Sequence, residues 1–564
     1  MTAFAKNLVC IPLLIALISC HSKQDSTEPV FFQHAAVVSA YPDASKVGAA
    51  ILKQGGNAVD AAVAVSFALA VVYPEAGNIG GGGFMLIGFS GKEADALDFR
   101  EKAPAAASRD MYLDSNGTVI PGASMDGQRS CGIPGSVDGL FQSHLKYGKL
   151  PWKELVQPAI DLAYKGFCIS QQTADQLNKR QKDFMFYNPG GTCFIHKEGW
   201  KKGDRIQQED LGKTLELIRD NGRDGFYTGL TAHHIVKEMQ EGKGLITYDD
   251  LKNYTSVWRK PLTGFYKGYT ITTMPPPSSG GIALLQLLKM TETFPIEKWG
   301  FHSTKAVHLA TEAENRVYAD RATWLGDPDF FQVPVKELLD SNYLLQRINN
   351  FDSLHSTPGD RIKAGTFGNH ESEQTTHFSI VDQWGNAVSM TTTLNNAYGS
   401  KVFVKDAGFL LNDEMDDFSS KPGTANSFGL VGGKANAIEP GKRMLSSMTP
   451  TIITKDGKLF MVVGSPGGST IITTVFQTII NVIDFQMTMN QAVNTGRFHS
   501  QWQPDELQME KDALNKGTVE ELQKMGHKVT ERSPIGRCDA ILLLPDNRME
   551  AAADKRGDDC ADGW

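Results

Sequence analysis

Apolar residues in the first part of the chain recur at helical spacing. Residues 44–54 and 57–72 carry Ala, Val and Leu three and four positions apart, and the pattern breaks at Gly55-Gly56. The second segment is apolar nearly all round, which predicts a helix buried on every side. Asn78-Ile79-Gly80-Gly81-Gly82-Gly83-Phe84 comes next, and then a strand-like stretch, 85–89. Successive glycines imply either dihedrals that other residues resist or a backbone packed very closely against a neighbour. From about 150 to 348 the pattern is mostly helical, with an extended segment near 264–273. Pro275-Pro276-Pro277-Ser278-Ser279-Gly280-Gly281 reads as a loop that opens an apolar helix at 282–289. Residues 349–372 are polar, bear Gly, Pro and Ser, and show no period; they read as a mobile stretch where a cut is tolerated.

After Gln374 the period shortens towards two. Strands are expected at 376–382, 387–393, 401–404, 451–453 and 459–464, a helix at 470–485, and a hairpin at 540–544 and 549–553. The chain is therefore α+β, with no internal repeat. Gln383-Trp384-Gly385-Asn386 reads as the turn of a hairpin. If Asp382 pairs with Ala387, Thr375 lies opposite Leu394; a slip of one residue puts it opposite Thr393. Either register returns Thr393 and Asn395 to the neighbourhood of Thr375.

The chain has 564 residues, 41% of them hydrophobic and 21% charged, as is ordinary for a soluble globular protein. A net charge of -8 with no long basic run argues against a nucleic-acid partner. The start reads as a targeting segment: Lys6, then an apolar run at 8–19 that is too short to span a bilayer. It ends in Leu17-Ile18-Ser19-Cys20, which resembles a lipobox, so residues 1–20 are expected to be a signal with Cys20 lipidated. A plain secretory signal is the alternative, and either way the body is exported. Beyond Cys20 lie Cys131, Cys168, Cys193, Cys538 and Cys560, at no trusted zinc spacing. Cys538 and Cys560 flank the last hairpin and make the best candidate pair.

Several segments carry candidate chemistry. Thr375 has a poor nucleophile for a side chain, but at a chain terminus its own α-amine, of reference pKa about 7.7–8.0, serves as base. Thr393 could orient its hydroxyl. The bland reading is a Thr-rich strand. Gly464-Ser465-Pro466-Gly467-Gly468-Ser469-Thr470 lies between a strand and a helix, where glycine N–H groups form an oxyanion site or simply a tight turn. Arg100, at a strand end, is able to clamp a carboxylate. Asn412-Asp413-Glu414-Met415-Asp416-Asp417 offers acids for an ammonium group, or a solvated loop. Ser446-Ser447 sits before a strand. The glycines at 80–83 lack the Lys-Ser/Thr of a phosphate loop.

Taken in this order, these segments resemble the γ-glutamyltransferase (γ-glutamyl transpeptidase) family over nearly the whole chain from about Ala36. The resemblance implies a four-layer αββα N-terminal-nucleophile hydrolase sandwich formed by two subunits, 21–374 and 375–564. These would arise when the precursor cuts itself between Gln374 and Thr375. It implies Thr375 as nucleophile, Thr393 as support for its hydroxyl, and Gly467 and Gly468 as oxyanion donors. Arg100, Ser446 and Ser447 would hold the α-carboxylate of a γ-glutamyl group, and Asn395, Glu414 and Asp417 its α-amine. Donors such as glutathione, acceptors that are amino acids, peptides or water, and no metal or organic cofactor are implied. A periplasmic protein tethered through Cys20 fits this picture. Phe428 stands where many bacterial relatives carry a lid tyrosine, and Asp554-Lys555-Arg556-Gly557 departs from the usual Asp-Pro-Arg. The competing readings are a related amide hydrolase, such as a cephalosporin acylase or a poly-γ-glutamate-processing enzyme, and a lipid-anchored solute-binding protein.

Overall fold

Alternation along the strands decides the layers. In the strand Gly82–Gly88, Met85 and Ile87 join one apolar cluster while Phe84 and Leu86 join another. A strand that is apolar on both faces must be covered on both. The structure, a computed structural model, describes residues 28–365, 375–421 and 434–564. Cys20, Gln374, Phe428 and the targeting segment lie outside the described residues.

Before residue 374 the sheet strands are β1 (Val30–Phe32), β2 (Ala36–Ser39), β3 (Gly82–Gly88), β4 (Asp95–Asp98), β5 (Val257–Arg259), β6 (Leu262–Tyr266) and β7 (Tyr269–Thr273). After it come β8 (Thr376–Val381), β9 (Ala387–Thr393), β10 (Thr451–Lys455), β11 (Lys458–Gly464), β12 (Asp539–Leu543), β13 (Met549–Ala552) and β14 (Cys560–Gly563). They form two seven-stranded sheets, β14-β2-β8-β9-β3-β4-β5 and β1-β13-β12-β11-β10-β7-β6. Helices α1 (Pro42–Lys53) and α2 (Ala58–Val72) cover the outer face of the first sheet. Helices α3 (Gly280–Glu292) and α5 (Thr470–Ile483) cover the second, and α4 (Thr304–Trp324) packs on α3. The order is α, β, β, α, as expected. Each sheet draws strands from both sides of residue 374, so neither part closes a core alone.

Every residue of α2 is buried, as its pattern requires. The glycines at 80–83 resolve to close packing, since none takes a positive φ. A Cβ at Gly80 would stand 2.2 Å from the Leu410 carbonyl oxygen, and one at Gly81 would stand 1.9 Å from that of Thr393. The extended segment near 264–273 is the β6–β7 hairpin. The strand expected at 401–404 shortens to Phe403–Val404, paired with Phe409–Leu410.

One expectation fails. Cys538 and Cys560 do not pair; both are free thiols. The hairpin they flank exists, but Cys538 enters the second sheet and Cys560 opens β14 in the first. The Cys538 thiol instead takes a 3.7 Å contact from the Thr478 hydroxyl. Asp554 and Arg556 serve packing. Asp554 pairs with Arg497 at 2.8 Å and Arg556 at 3.0 Å, and Arg556 also grips Glu510 at 2.5 Å.

Candidate active site

The hairpin register places the first candidate pair. Val381 pairs with Ala387 and Thr376 with Thr392, so the next step brings Thr375 to Thr393. This is the slipped register of the two considered. Asp382 fixes it: its carboxylate accepts the N–H groups of Trp384 and Asn386, each at 2.9 Å, and that of Ala58, at the start of α2, at 3.0 Å.

Thr375, His377 and Ser379 share the face of β8 that looks into the space between the sheets. There the His377 Nδ1 meets the Thr391 hydroxyl at 2.9 Å, and the Ser379 hydroxyl donates to the Asp539 carbonyl at 2.9 Å. Burial pushes His377 down to about 3, so its ring is neutral. The Thr375 hydroxyl is buried and has no hydrogen-bond partner among the described residues. The Thr393 hydroxyl accepts the Asn395 N–H at 2.7 Å and lies beside the Glu414 carboxylate.

The glycine turn reaches this end of the sandwich from the other sheet. Gly464 ends β11 directly over His377: a Cβ there would meet the imidazole at 2.2 Å. Gly467 and Gly468 follow at φ 131° and 66°, in the region that favours glycine, before α5 begins. Neither glycine donates its N–H to a backbone carbonyl among the described residues. Amides at a helix start that point at no internal partner suit a developing negative charge.

Arg100 is almost fully buried. Its guanidinium contacts Glu414 at 2.6 Å, Glu101 at 3.4 Å and Asp417, and donates to the carbonyls of Met444 at 3.2 Å and Leu445 at 3.1 Å. The expected cationic and anionic parts of the clamp are thus brought together and neutralise each other. Burial outweighs Arg100 and pushes Glu101 up to about 8 and Glu414 well above the carboxylate range. One cation among three buried acids leaves the cluster holding protons at neutral pH.

Asn395 takes φ 71°, donates to the Asp413 carbonyl at 3.0 Å, and leaves its Oδ1 without a partner among the described residues. Ser446 and Ser447 are held against the loop 275–281. The Ser446 carbonyl accepts from the Ser279 N–H at 2.6 Å, and the Ser447 hydroxyl takes the Arg321 guanidinium. All the candidate residues that the structure describes therefore gather at one end of the two sheets.

Sequence reasoning passed over four residues. Asn78 donates to the Thr393 carbonyl at 2.7 Å and accepts the Gly81 N–H at 2.9 Å, tying the glycine run to β9. Its place just before the glycines was the available signal. Glu101 adjoins Arg100. Tyr318 and Arg321 lie on α4, where the polar run Glu312-Ala313-Glu314-Asn315-Arg316-Val317-Tyr318-Ala319-Asp320-Arg321 is buried throughout.

Two layers of helix around two facing antiparallel sheets, with the polar cluster at one end, define an N-terminal-nucleophile hydrolase fold. A solved cephalosporin acylase from Bacillus halodurans shares it, with a TM-score of 0.82 at 22% identity over 98% of this chain and 99% of that one. Residues 44–564 match the family described as gamma-glutamyltranspeptidase. The glutathione hydrolase proenzyme of Pseudomonas aeruginosa is 50% identical over 526 residues, 92% of this chain and 93% of that one. That of Escherichia coli K12 is 45% identical over 550 residues, 97% of this chain and 95% of the other. The chain belongs to the γ-glutamyltranspeptidase family, whose members are hydrolase and transferase enzymes made as proenzymes.

Proposed function

We propose that the chain is a γ-glutamyltransferase and glutathione hydrolase whose nucleophile is Thr375, exposed when the precursor cuts itself after Gln374. The observation that carries this is the Thr375 hydroxyl: buried, without a partner among the described residues, and opposite Thr393 in the register of the hairpin. In self-cleavage its Oγ attacks the Gln374 carbonyl carbon, the peptide C–N bond breaks, and the new ester is hydrolysed by water. This frees the Thr375 amine and leaves a small subunit, 375–564, held to the large one through both mixed sheets.

In turnover the freed amine takes the hydroxyl proton as Oγ attacks the γ-carbonyl. The oxyanion forms against the N–H groups of Gly467 and Gly468. The proton passes to the leaving amine, and the acyl-enzyme is resolved by water or by an amino acid or peptide acceptor. Arg100, Ser446 and Ser447 hold the donor carboxylate, while Asn395, Glu414 and Asp417 hold its ammonium group. An acylase acting on glutaryl side chains would bring no ammonium group to Glu414 and Asp417, which would then answer Arg100 alone. Export and lipidation at Cys20 complete the reading, with the enzyme in the periplasm on a membrane tether.

Purified protein should resolve under denaturing conditions into two fragments, the smaller beginning at Thr375. Thr375→Ala should remain one chain and be inactive on a γ-glutamyl anilide. An intact wild-type chain that turns over this substrate overturns the proposal. Rates with and without a dipeptide acceptor separate hydrolysis from transfer. Mass spectrometry of the membrane fraction tests lipidation, and a mature N-terminus without lipid on Cys20 refutes that part.

A further inference from the structure

The turn that carries Gly467 and Gly468 has little stiffness of its own. Both glycines occupy positive φ, and the backbone penalty that would fix another residue there is absent. Donors that stabilise a transition state work by being held in place beforehand. The anchors of this turn therefore bear on catalysis.

On its leading side, the Ser465 hydroxyl accepts the Arg537 N–H at 2.9 Å and donates to the Pro466 carbonyl at 2.6 Å. On its trailing side stands Ser469, the residue directly after Gly468. Ser469 precedes α5, but its side chain makes no cap bond to that helix. Its hydroxyl is instead given to Gln501 Oε1. Gln501 also takes the His499 Nε2–H at 2.9 Å, and His499 Nδ1 accepts the Thr473 hydroxyl at 2.9 Å. Burial keeps this imidazole neutral, so the orientation of the network does not change near neutral pH.

The Ser469 carbonyl is held separately. It accepts the hydroxyl of Tyr318, which reaches it from α4, in the part of the chain before residue 374. Tyr318 is buried, its ring stands edge-on to His499 at 5.6 Å, and the Arg321 guanidinium lies 5.7 Å from its centre. Arg321 itself holds Ser279 at 2.9 Å and the Ser447 hydroxyl. One turn of α4 thus grips both the glycine turn and the serine pair.

We propose that Tyr318 is a positioning residue that fixes the Gly467–Gly468 turn through the Ser469 carbonyl. This rests on reading those glycines as the oxyanion donors. Tyr318→Phe removes the hydroxyl and keeps the ring, so the core stays filled. Deleting an oxyanion donor costs about 10²–10³ in kcat; loosening the turn while keeping both donors should cost about tenfold. Because the ground-state contacts of the donor are untouched, the loss should fall in kcat with KM within about twofold. Self-cleavage should slow as well.

The test is steady-state hydrolysis of a γ-glutamyl anilide by wild type and Tyr318→Phe, with thermal midpoints measured alongside. A kcat within twofold of wild type overturns the proposal, as does a loss confined to KM. Should Tyr318→Phe yield no soluble enzyme, Ser469→Ala removes the Gln501 bond to the same anchor. It is expected to lower kcat alone, and an unchanged kcat counts against the idea. Failure here is distinct from failure of the nucleophile reading: the first leaves Tyr318→Phe fully active and Thr375→Ala dead, the second leaves Thr375→Ala active.

Discussion

At the scale of single residues, the acids around Arg100 govern how the site responds to pH. Glu101 is held up to about 8 by burial, against the pull of Arg100. If, as proposed, a donor ammonium group enters this cluster, it replaces protons, so donor binding and proton release are linked. The donor KM should therefore fall as pH rises from 6 towards 8, and Glu101→Gln should flatten that fall; an unchanged slope in the variant refutes the linkage. The sign for stability is opposite. A carboxyl raised in the folded state favours folding below its unfolded value near 4.5, and this contribution is lost as pH climbs to about 8. Thr375, Arg100, Glu414 and the two glycines stood out as candidates in the sequence because each sits in a short ordered motif. Glu101, Asn78 and Arg321 were not, because what marks them is burial beside the motif, and burial is decided by strands far away in sequence.

At the scale of elements, the hairpin β8–β9 and the glycine run share one constraint. Gly81 and Gly83 let the start of β3 lie against β9 at backbone distance, while Gly80 and Gly82 do the same against Leu410 and Phe99; any side chain there collides. Gly81→Ala would press a methyl onto the Thr393 carbonyl, which cannot rotate away as a side-chain end does. It should cost about 3 kcal/mol or more in denaturant unfolding and displace Thr393. In a Gly91→Ala control nothing lies near the added carbon, and the only cost is the strain of its own positive φ, which Gly81 does not have. Equal losses in the two variants would sink the packing argument. The strands and α2 were legible because their faces are apolar in period. The hairpin register was ambiguous by one residue, since the Asp382 bonds that fix it reach across to Ala58. The environment of helix α4 was not legible: its charges meet one another and the loop 349–365 instead of water, as where Glu312 pairs with Arg316 at 2.7 Å and takes the Thr357 N–H at 2.8 Å.

For the whole molecule, the decisive feature is that both sheets are woven from the two parts of the chain, so the proposed cut after residue 374 would leave one folded unit. The same weave brings titratable groups of the two parts into contact away from the site. His308 on α4 donates its Nε2–H to the Asp352 carbonyl at 2.8 Å, which leaves Nδ1 as an acceptor for the His527 Nε2–H at 2.7 Å. Charging His308 would place a proton on Nδ1 and set N–H against the His527 N–H, while His527 would take its proton on Nδ1, away from the contact, against the cost of burial. Glu312, Arg316 and Asp352 are the charged groups nearest this pair, and Glu312 is occupied by Arg316 and Thr357. Burial pushes His527 down to about 4 and lowers His308 as well. With folded values below the unfolded 6.5, the unfolded chain binds more protons in this window, and stability is lost as pH falls from about 6.5 through 4. For His527 the loss is on the order of 3 kcal/mol. Unfolding of the wild type should weaken over this range, and a variant carrying His308→Gln with His527→Gln, whose amides stay neutral, should weaken less by about that amount. If the two curves run parallel from pH 7 to pH 4, the pair does not sense acid. The buried His377 and His499, and the partly buried His302, each held neutral by burial, are then further imidazoles that would contribute to the remaining slope.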